Sequence, residues 1–179
     1  MNEIYEEYVD FMNDAKSIYI SNIDYDAEFI YAKPEISYSP CVVDKQKNAY
    51  VLVSDLTRRT ASLVQGRQAQ IMFIEPEVIE DIYVRKRLTF DCSITQIERL
   101  SDKWNDQVDV FLEKFGDIIG ILKTLADFRM ICFTPKAGTF VKGFGQAFSI
   151  KGKDLNIVTH IDFKAKQKPR GPKYTGVRF

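Results

Sequence analysis

The chain has 179 residues, of which 45% are hydrophobic and 13% aromatic, and its 25 basic and 25 acidic residues give a formal net charge of +0. This composition supports a hydrophobic core and excludes disorder over most of the length. Balanced charge argues against a nonspecific nucleic-acid binder, and no apolar run approaches the length of a membrane span, so neither partner is expected. We expect one domain over residues 1–163 and a basic C-terminal tail, containing Pro and Gly, over 164–179.

The first part of the chain is typical of a helix followed by strands. Apolar residues at spacings of three and four predict an amphipathic helix over residues 2–15. The stretches that follow predict strands over residues 17–22, 27–33, 36–43 and 49–53. Pro40 favours an edge position or a bulge for the third of these strands, and the polar residues 44–48 predict the turn of a hairpin.

The middle of the chain combines short helices with the longest predicted strand. Ser54 or Asp55 is expected to cap a helix that ends near Val64. Its buried side is expected to carry Leu56 and Leu63. Beyond it, the pattern predicts a strand, a brief helix and a long strand with a bulge near its end, over residues 70–74, 76–84 and 85–99.

The last part predicts two helices and then four strands. Ser101 is the expected cap of a helix over 101–113, which Gly116 ends, and a second helix is predicted over 117–126. Strands are predicted over residues 128–134, 139–141, 144–150 and 155–158. Strands joined by hairpins, with helices inserted at irregular intervals, predict an α+β, mainly β, fold built on an antiparallel barrel.

Three cysteines, Cys41, Cys92 and Cys132, lie in apolar, strand-like runs. Their odd number and wide spacing argue against a disulfide framework or a zinc site. The N-terminus lacks the basic and apolar regions of a secretion signal. We therefore expect buried, reduced thiols in a cytoplasmic protein.

Two basic clusters lie where predicted strands end or begin. The first is Ser54-Asp-Leu-Thr-Arg-Arg-Thr60, after an apolar strand, and the second is Arg85-Lys-Arg87, before one. A strand with Arg87 and Thr89 on one face and Leu88 and Phe90 on the other directs its polar side chains to one side. Hydroxyl and guanidinium groups at such positions predict a site for an anionic ligand.

Four motifs in order resemble the haem-utilisation (HugZ-type) family, one of the pyridoxamine-phosphate-oxidase-like, FMN-binding split barrels. They are Tyr50-Val-Leu-Val-Ser-Asp-Leu-Thr-Arg-Arg-Thr60, Arg85-Lys-Arg-Leu-Thr-Phe-Asp91, Asp127-Phe-Arg129 and Gly143-Phe-Gly-Gln-Ala147. The resemblance covers roughly residues 15–150. It implies a six-stranded antiparallel split β-barrel with flanking helices, and a homodimer whose two ligand sites lie at the subunit interface.

The resemblance also implies which residues hold a cofactor. In flavin-using relatives, positions resembling Ser54, Arg58, Arg59 and Arg87 contact the flavin. In the haem-degrading branch the same groove takes haem, and a histidine beyond the Gly-Phe-Gly segment binds the iron. His160 is the only histidine in the chain and is the expected iron ligand, with a surface histidine as the alternative.

The remaining candidate residues each have a plainer alternative. Arg85 and Arg87 are expected to hold haem propionates or a flavin phosphate, but strand-flanking arginines are commonly solvated or paired with nearby acids such as Glu80 and Asp81. Aromatic rings are candidates for stacking on a planar cofactor, although they usually pack in a core. The full expected cofactor-binding set is Arg87, Arg85, Ser54, Arg58, Arg59, Thr60, Tyr38 and Phe144.

These expectations lead to a haem oxygenase that opens the porphyrin with dioxygen and electrons from a donor, releasing iron for acquisition. No general acid, general base or nucleophile is assigned. An FMN-binding oxidoreductase is the first alternative, weakened because the strand matching Tyr38–Val43 lacks the basic residue usual in flavin enzymes. Haem binding or storage without turnover is the second, since ligation alone has the same sequence pattern.

Overall fold

The computed structural model describes residues 3–24, 33–78 and 81–161, apart from the side chains of Arg58 and Arg59. The strand predicted over 27–33 lies almost wholly outside these residues, as does the basic tail. The helices are α1 Glu3–Asp14, α2 Arg58–Gln65, α3 Asp102–Phe115 and α4 Ile118–Leu122, with a 3₁₀ turn at Ile82–Val84. Within the described ranges, no helix is long and apolar enough to cross a membrane.

The described part of the chain forms one antiparallel sheet of nine strands. They are β1 Ser17–Asp24, β2 Lys33–Pro40, β3 Val42–Val43, β4 Ala49–Ser54, β5 Gln68–Ile74, β6 Arg87–Ile97, β7 Phe128–Gly143, β8 Gln146–Lys151 and β9 Ile157–His160. The order is β2-β1-β5-β6-β7-β4-β3, while β8 pairs with β7 and β9 with β8. The predicted antiparallel split barrel is confirmed, and its sheet has nine strands where six were expected. The barrel is not closed, and β2, which contains Pro40, lies at an edge as predicted.

Helix α1 packs its apolar face into the curved sheet. The ring of Tyr8 lies 6.3 Å from that of Phe90 and 6.4 Å from that of Phe140, and all three side chains are buried. The Tyr8 hydroxyl donates a hydrogen bond to the backbone carbonyl of Leu155 at 2.7 Å. Burial of the phenol raises the pKa of Tyr8, so the hydroxyl remains a donor. Helix α1 is therefore fixed to the segment that leads into β9.

Several local predictions are confirmed. Leu88 and Phe90 are buried, while Arg87 on the opposite face is exposed. The Ser101 hydroxyl accepts a hydrogen bond from the Trp104 amide and caps α3, as its position in the sequence indicated. Gly116 ends that helix with a φ of 72°. All three cysteines are free and buried.

The prediction of two separate strands over 128–134 and 139–141 is wrong, because β7 runs without interruption through Pro135 and Gly138. The partner strand β6 pairs along its whole length, and the irregularity is a bulge in β7: Asp91 pairs with Ala137 and Cys92 with Pro135, which leaves Lys136 unpaired between them. The bulge was predicted farther along, at Ile97. Gly138 lies against the Phe90 ring. The glycine therefore allows close packing between β7 and this ring, and it does not form a turn.

Two predictions around the basic clusters also differ from the structure. Leu56, expected on the buried side of α2, is 88% exposed, because the helix begins only at Arg58 and Leu56 lies in the preceding turn. Leu63 is buried as expected. The helix predicted from Pro76 is reduced to a 3₁₀ turn, which Asp81 caps through a hydrogen bond from the Tyr83 amide.

Candidate functional site

A pocket of about 510 Å³ opens at the turn between β7 and β8, and we call it the β7–β8 pocket. It forms where Arg87 at the start of β6 pairs with Val141 near the end of β7. Beyond this pair the chain turns through Gly143 and Gly145, both in positive-φ conformations that favour glycine. The pocket is lined by Tyr83, Arg87, Val141, Gly143, Phe144, Gly145, Gln146, Ala147, His160 and Ile161. Two predicted site residues from distant parts of the chain, Arg87 and His160, therefore meet in it.

His160 ends β9, where it pairs with Phe148 of β8. The two rings are 5.2 Å apart in an edge-to-face arrangement. The imidazole Nε2 lies 3.2 Å from the carbonyl oxygen of Gly145. A carbonyl only accepts hydrogen bonds, so Nε2 donates, and the neutral ring then carries its lone pair on Nδ1. Nδ1 is therefore the nitrogen that can bind iron while the hydrogen bond to Gly145 is kept.

The other pocket side chains provide one cation and an apolar wall. The Arg87 guanidinium is the cationic group among the lining residues, and Val141, Ala147 and Ile161 supply aliphatic surface. Phe144 is 91% exposed and Tyr83 is 85% exposed, so both rings stand at the rim. Such a lining would fit a planar apolar ring system with carboxylate substituents, and the imidazole of His160 could hold a metal ion carried by that ring.

Phe144 was expected to stack on a cofactor, with core packing as the alternative. Its exposure excludes core packing in the isolated chain, and its stacking role stays a prediction. Sequence reasoning missed Tyr83 altogether. The available signal was an aromatic residue two positions before Arg85-Lys-Arg87, flanked by apolar residues in a polar loop.

Arg85 is engaged outside the pocket. Its Nε donates to the carbonyl oxygen of Glu75 at 2.9 Å, its Nη2 donates to the same oxygen, and its Nη1 lies 3.4 Å from a carboxylate oxygen of Glu77. These contacts fix the loop that leads into β6. A role for Arg85 in anchoring a ligand stays a prediction, and it requires release of these bonds.

Ser54 and Thr60 lie at the other end of β7, where Ser54 pairs with Phe128. The Ser54 hydroxyl donates to a carboxylate oxygen of Asp127 at 2.5 Å, and buried Thr60 donates to the Ser54 carbonyl oxygen at 2.5 Å. The part of β7 between Phe128 and Val141 is about 40 Å long along the strand. Neither hydroxyl lines the β7–β8 pocket.

Tyr38 lies on the outer face of β2, with its ring 5.6 Å from that of Tyr19. It does not line the β7–β8 pocket. Arg58 and Arg59 begin α2, close in sequence to Ser54, and their side chains lie outside the described part of the structure. The predicted site residues thus fall into a pocket group and a group outside it.

Glu7 of α1 joins the two strand ends that frame the pocket. One carboxylate oxygen lies 2.9 Å from Lys86 Nζ, and the other pairs with Lys142 Nζ. Partial burial alone would raise the pKa of Glu7, but the hydrogen bonds and charges of the two lysines outweigh it and lower the pKa below its ordinary value of 4.5. We call this arrangement the Glu7 clamp.

We expect Glu7→Gln to lower the free energy of unfolding at neutral pH by about 1 kcal/mol. A lowered pKa in the folded state means that the carboxylate contributes stability above pH 4.5 and loses it as the pH falls through the folded-state pKa. The difference between wild type and variant should therefore shrink in acid. Urea unfolding at several pH values measures it, with exposed Glu6→Gln on the same helix as control. A constant difference at all pH values would contradict the assignment.

Comparison with known proteins places the chain in a family. No family model matches it. It is 35% identical over 157 residues to the haem oxygenase HutZ of Vibrio cholerae, covering 87% of this chain and 86% of HutZ. The chain belongs to the haem-utilisation (HugZ-type) family. The resemblance carried by the four sequence motifs is thereby confirmed.

Solved structures of this family and of more distant proteins share the fold. The crystal structure of HutZ, described as a haem storage protein from Vibrio cholerae, matches with a TM-score of 0.68 and 32% identity over 78% of this chain and 96% of HutZ. ChuZ of Campylobacter jejuni matches with a TM-score of 0.77 and 26% identity over 88% of this chain and 62% of ChuZ. A pyridoxinephosphate-oxidase-family protein of Clostridium acetobutylicum, 16% identical with a TM-score of 0.57 over 87% of this chain and 99% of its own, supports the split-barrel fold alone.

Proposed function

We propose that this protein binds haem in the β7–β8 pocket and degrades it as a haem oxygenase, releasing iron. The observation that carries the proposal is the meeting of the only histidine, His160, with Arg87 in one apolar-lined pocket. One relative supports it by name, since HutZ is called a haem oxygenase and, in its crystal structure, a haem storage protein. Iron acquisition in the cytoplasm follows as the physiological setting, and the free, buried cysteines are compatible with a reducing compartment.

Each pocket residue has a role in this proposal. His160 binds the iron through Nδ1, and its hydrogen bond to the Gly145 carbonyl orients the ring. Arg87 holds a propionate through charge-assisted hydrogen bonds. Val141, Ala147 and Ile161 cover apolar parts of the porphyrin and exclude water. Bound haem supplies the oxygen-activating chemistry, and electrons come from a donor outside this chain.

FMN binding is the second candidate, because the split-barrel relatives include a pyridoxinephosphate-oxidase-family protein. Arg87 is also suited to a phosphate. Haem ranks first because a histidine at the pocket wall suits an iron and gives a flavin no comparable partner. Storage without turnover uses the same ligation and differs only in the reaction with dioxygen.

We further propose that the functional unit is a homodimer in which each site draws on both copies. Ser54 pairs with Phe128 at the start of β7 and Arg87 with Val141 near its end, and neither Ser54 nor Thr60 lines the pocket that holds Arg87. The rim rings of Tyr83 and Phe144 are exposed in one chain. The outer face of the β1–β2 pair adds exposed apolar side chains that suit a second copy, namely Tyr19, Ile23, Ile36 and Tyr38.

We expect Ile36→Lys to weaken the homodimer about tenfold, because it introduces a charge into the proposed apolar contact. Light scattering coupled to size-exclusion chromatography over a dilution series measures the change. Leu100→Lys is the matched control. The side chains of Leu100 and Ile36 are both 74% exposed, and Leu100 lies outside the β1–β2 pair. A wild type that remains monomeric at high concentration would contradict the homodimer.

Turnover is tested by reacting the hemin complex with ascorbate under air, with catalase present to remove free peroxide. We expect the Soret band to decay and an iron chelator to report released iron. Hemin without protein is the control for nonenzymatic bleaching. A Soret band that persists while the iron is reduced would contradict the oxygenase and leave haem storage.

A further inference from the structure

The Glu7 clamp contacts the same two strands that frame the β7–β8 pocket. Lys86 directly precedes Arg87, and Lys142 lies between Val141 and Gly143. Arg87, Val141 and Gly143 all line the pocket. Successive side chains of a strand point to opposite faces. The two lysines therefore reach α1 from one face while Arg87 and Val141 face the pocket from the other.

Strand register makes the two lysines an unfavourable pair without Glu7. Arg87 pairs with Val141, and the two lysines next to this pair, Lys86 and Lys142, reach the same Glu7 carboxylate with their Nζ atoms. Like charges held this close on neighbouring strands repel each other and destabilise the pairing. The Glu7 carboxylate, less exposed than Lys86 and as exposed as Lys142, lies between the two ammonium groups. Removal of its charge leaves repulsion at the point where β6 and β7 must stay paired.

Backbone hydrogen bonds fix Lys86, the residue before Arg87, to the preceding loop. The Lys86 amide donates to a carboxylate oxygen of Glu75 at 2.8 Å, and the Lys86 carbonyl accepts from the Glu75 amide at 3.0 Å. Arg85 in turn holds the Glu75 carbonyl. Lys86 is thus fixed by its backbone to the preceding loop and by its side chain to α1, and Arg87 follows immediately.

Helix α1 also contacts the segment that carries His160. Tyr8, next to Glu7, donates its hydroxyl to the Leu155 carbonyl, and Leu155 precedes β9. Glu7 therefore contacts the strand end that carries Arg87 and the turn that begins at Lys142. Tyr8, the next residue of α1, contacts the segment that leads to His160. The distance between the side chains of Arg87 and His160 depends on the positions of these three segments.

We propose that Glu7 is a positioning residue for the haem pocket, which sets the placement of Arg87 and of the β7–β8 turn through Lys86 and Lys142. This inference rests on the proposed function. It assigns a role at the site to a helix that does not line the pocket. Glu7 makes no contact with haem in this account and acts only through the two lysines.

Two variants separate positioning from a simple effect of charge. Glu7→Gln removes a negative charge and Lys142→Met removes a positive one, so an electrostatic field acting on the haem propionates would change hemin affinity in opposite directions. Positioning predicts that each variant weakens hemin binding about fivefold and that the double variant loses little more, because both break one clamp. The Soret band and electron paramagnetic resonance spectrum of the bound fraction should also change, which a loss of global stability alone does not produce.

Glu6→Gln, exposed on the same helix, is the control and should bind hemin as wild type does. Opposite shifts for the two clamp variants, or unchanged affinity and spectra in both, would overturn the inference. Amide hydrogen exchange of residues 139–149 in the haem-free protein gives a second measure. We expect faster exchange in Glu7→Gln than in Glu6→Gln, and equal rates would overturn the clamp. If wild type does not bind hemin, the proposed function fails, and the exchange rates still decide whether Glu7 orders this turn.

Discussion

His160→Ala should weaken hemin binding roughly 100-fold, equivalent to about 2.8 kcal/mol, and should shift the Soret band of any residual complex. His160 is the only imidazole in the chain, so no second histidine can replace it as iron ligand. Its Nε2 is occupied by the Gly145 carbonyl, which leaves Nδ1 for the metal. Titration of the haem-free protein with hemin, followed in the Soret region, measures the loss.

Thr159→Ala is the matched control for this substitution. Thr159 is exposed on the same strand and does not line the β7–β8 pocket, so its hydroxyl is not expected to contact haem. The control should keep wild-type affinity and an unshifted Soret band. Added imidazole should restore the ligated spectrum of His160→Ala if only the iron ligand is missing. Equal affinities for His160→Ala and wild type would exclude His160 as the ligand.

Gly138→Ala should lower the free energy of unfolding by about 3 kcal/mol, a large effect for one methyl group. A Cβ at this position would lie 2.6 Å from the Thr89 carbonyl oxygen and 2.6 Å from Cε1 of the Phe90 ring. The carbonyl belongs to paired backbone, and the ring is fully buried against Tyr8, so neither can move away easily. Urea unfolding, followed by far-ultraviolet circular dichroism, measures the change.

Gly120→Ala provides the control for the glycine substitution. Gly120 lies in α4, and a Cβ there would meet no atom within 4 Å. Because alanine favours a helix over glycine by about 1 kcal/mol, this variant should be neutral or more stable than wild type. Equal stabilities for Gly138→Ala and Gly120→Ala would mean that the sheet tolerates displacement of β6 from β7 at this point.

Features encoded by local sequence pattern were predictable. The alternation around Leu88 and Phe90 placed the inner and outer faces of β6, and Ser101 placed the start of α3. The four motifs in order led to the split-barrel fold. These signals depend on neighbours within a few residues or on a recognised pattern, so they do not require knowledge of tertiary packing.

Features that depend on distant partners were not predictable. Pro135 and Gly138 are typical turn residues and predicted a break between two strands. Pairing with β6 keeps β7 continuous through both residues. Arg85 resembled a ligand anchor, whereas its main partner is a backbone carbonyl, a group that every residue carries and that no sequence pattern distinguishes. Glu7 gave no signal, because its two lysines lie in strands far along the chain.

The separation of the predicted site residues into two groups also depends on pairing between distant strands. Ser54, Thr60 and Arg87 were grouped because they lie in basic clusters at strand ends and in motifs that resemble the family. The fold puts Ser54 and Arg87 near opposite ends of β7, since β4 pairs with its first half and the start of β6 with its last residues. His160 joins Arg87 only because β8 and β9 extend the sheet beside the second half of β7.

Haem binding in the β7–β8 pocket is the claim on which the proposed function depends, and a parallel titration of the purified wild-type protein with hemin and with FMN tests it. We predict a saturable Soret band at one hemin per chain, while FMN leaves the flavin absorption and fluorescence unperturbed. Saturable binding of FMN together with a hemin spectrum identical to that of free hemin would contradict the claim.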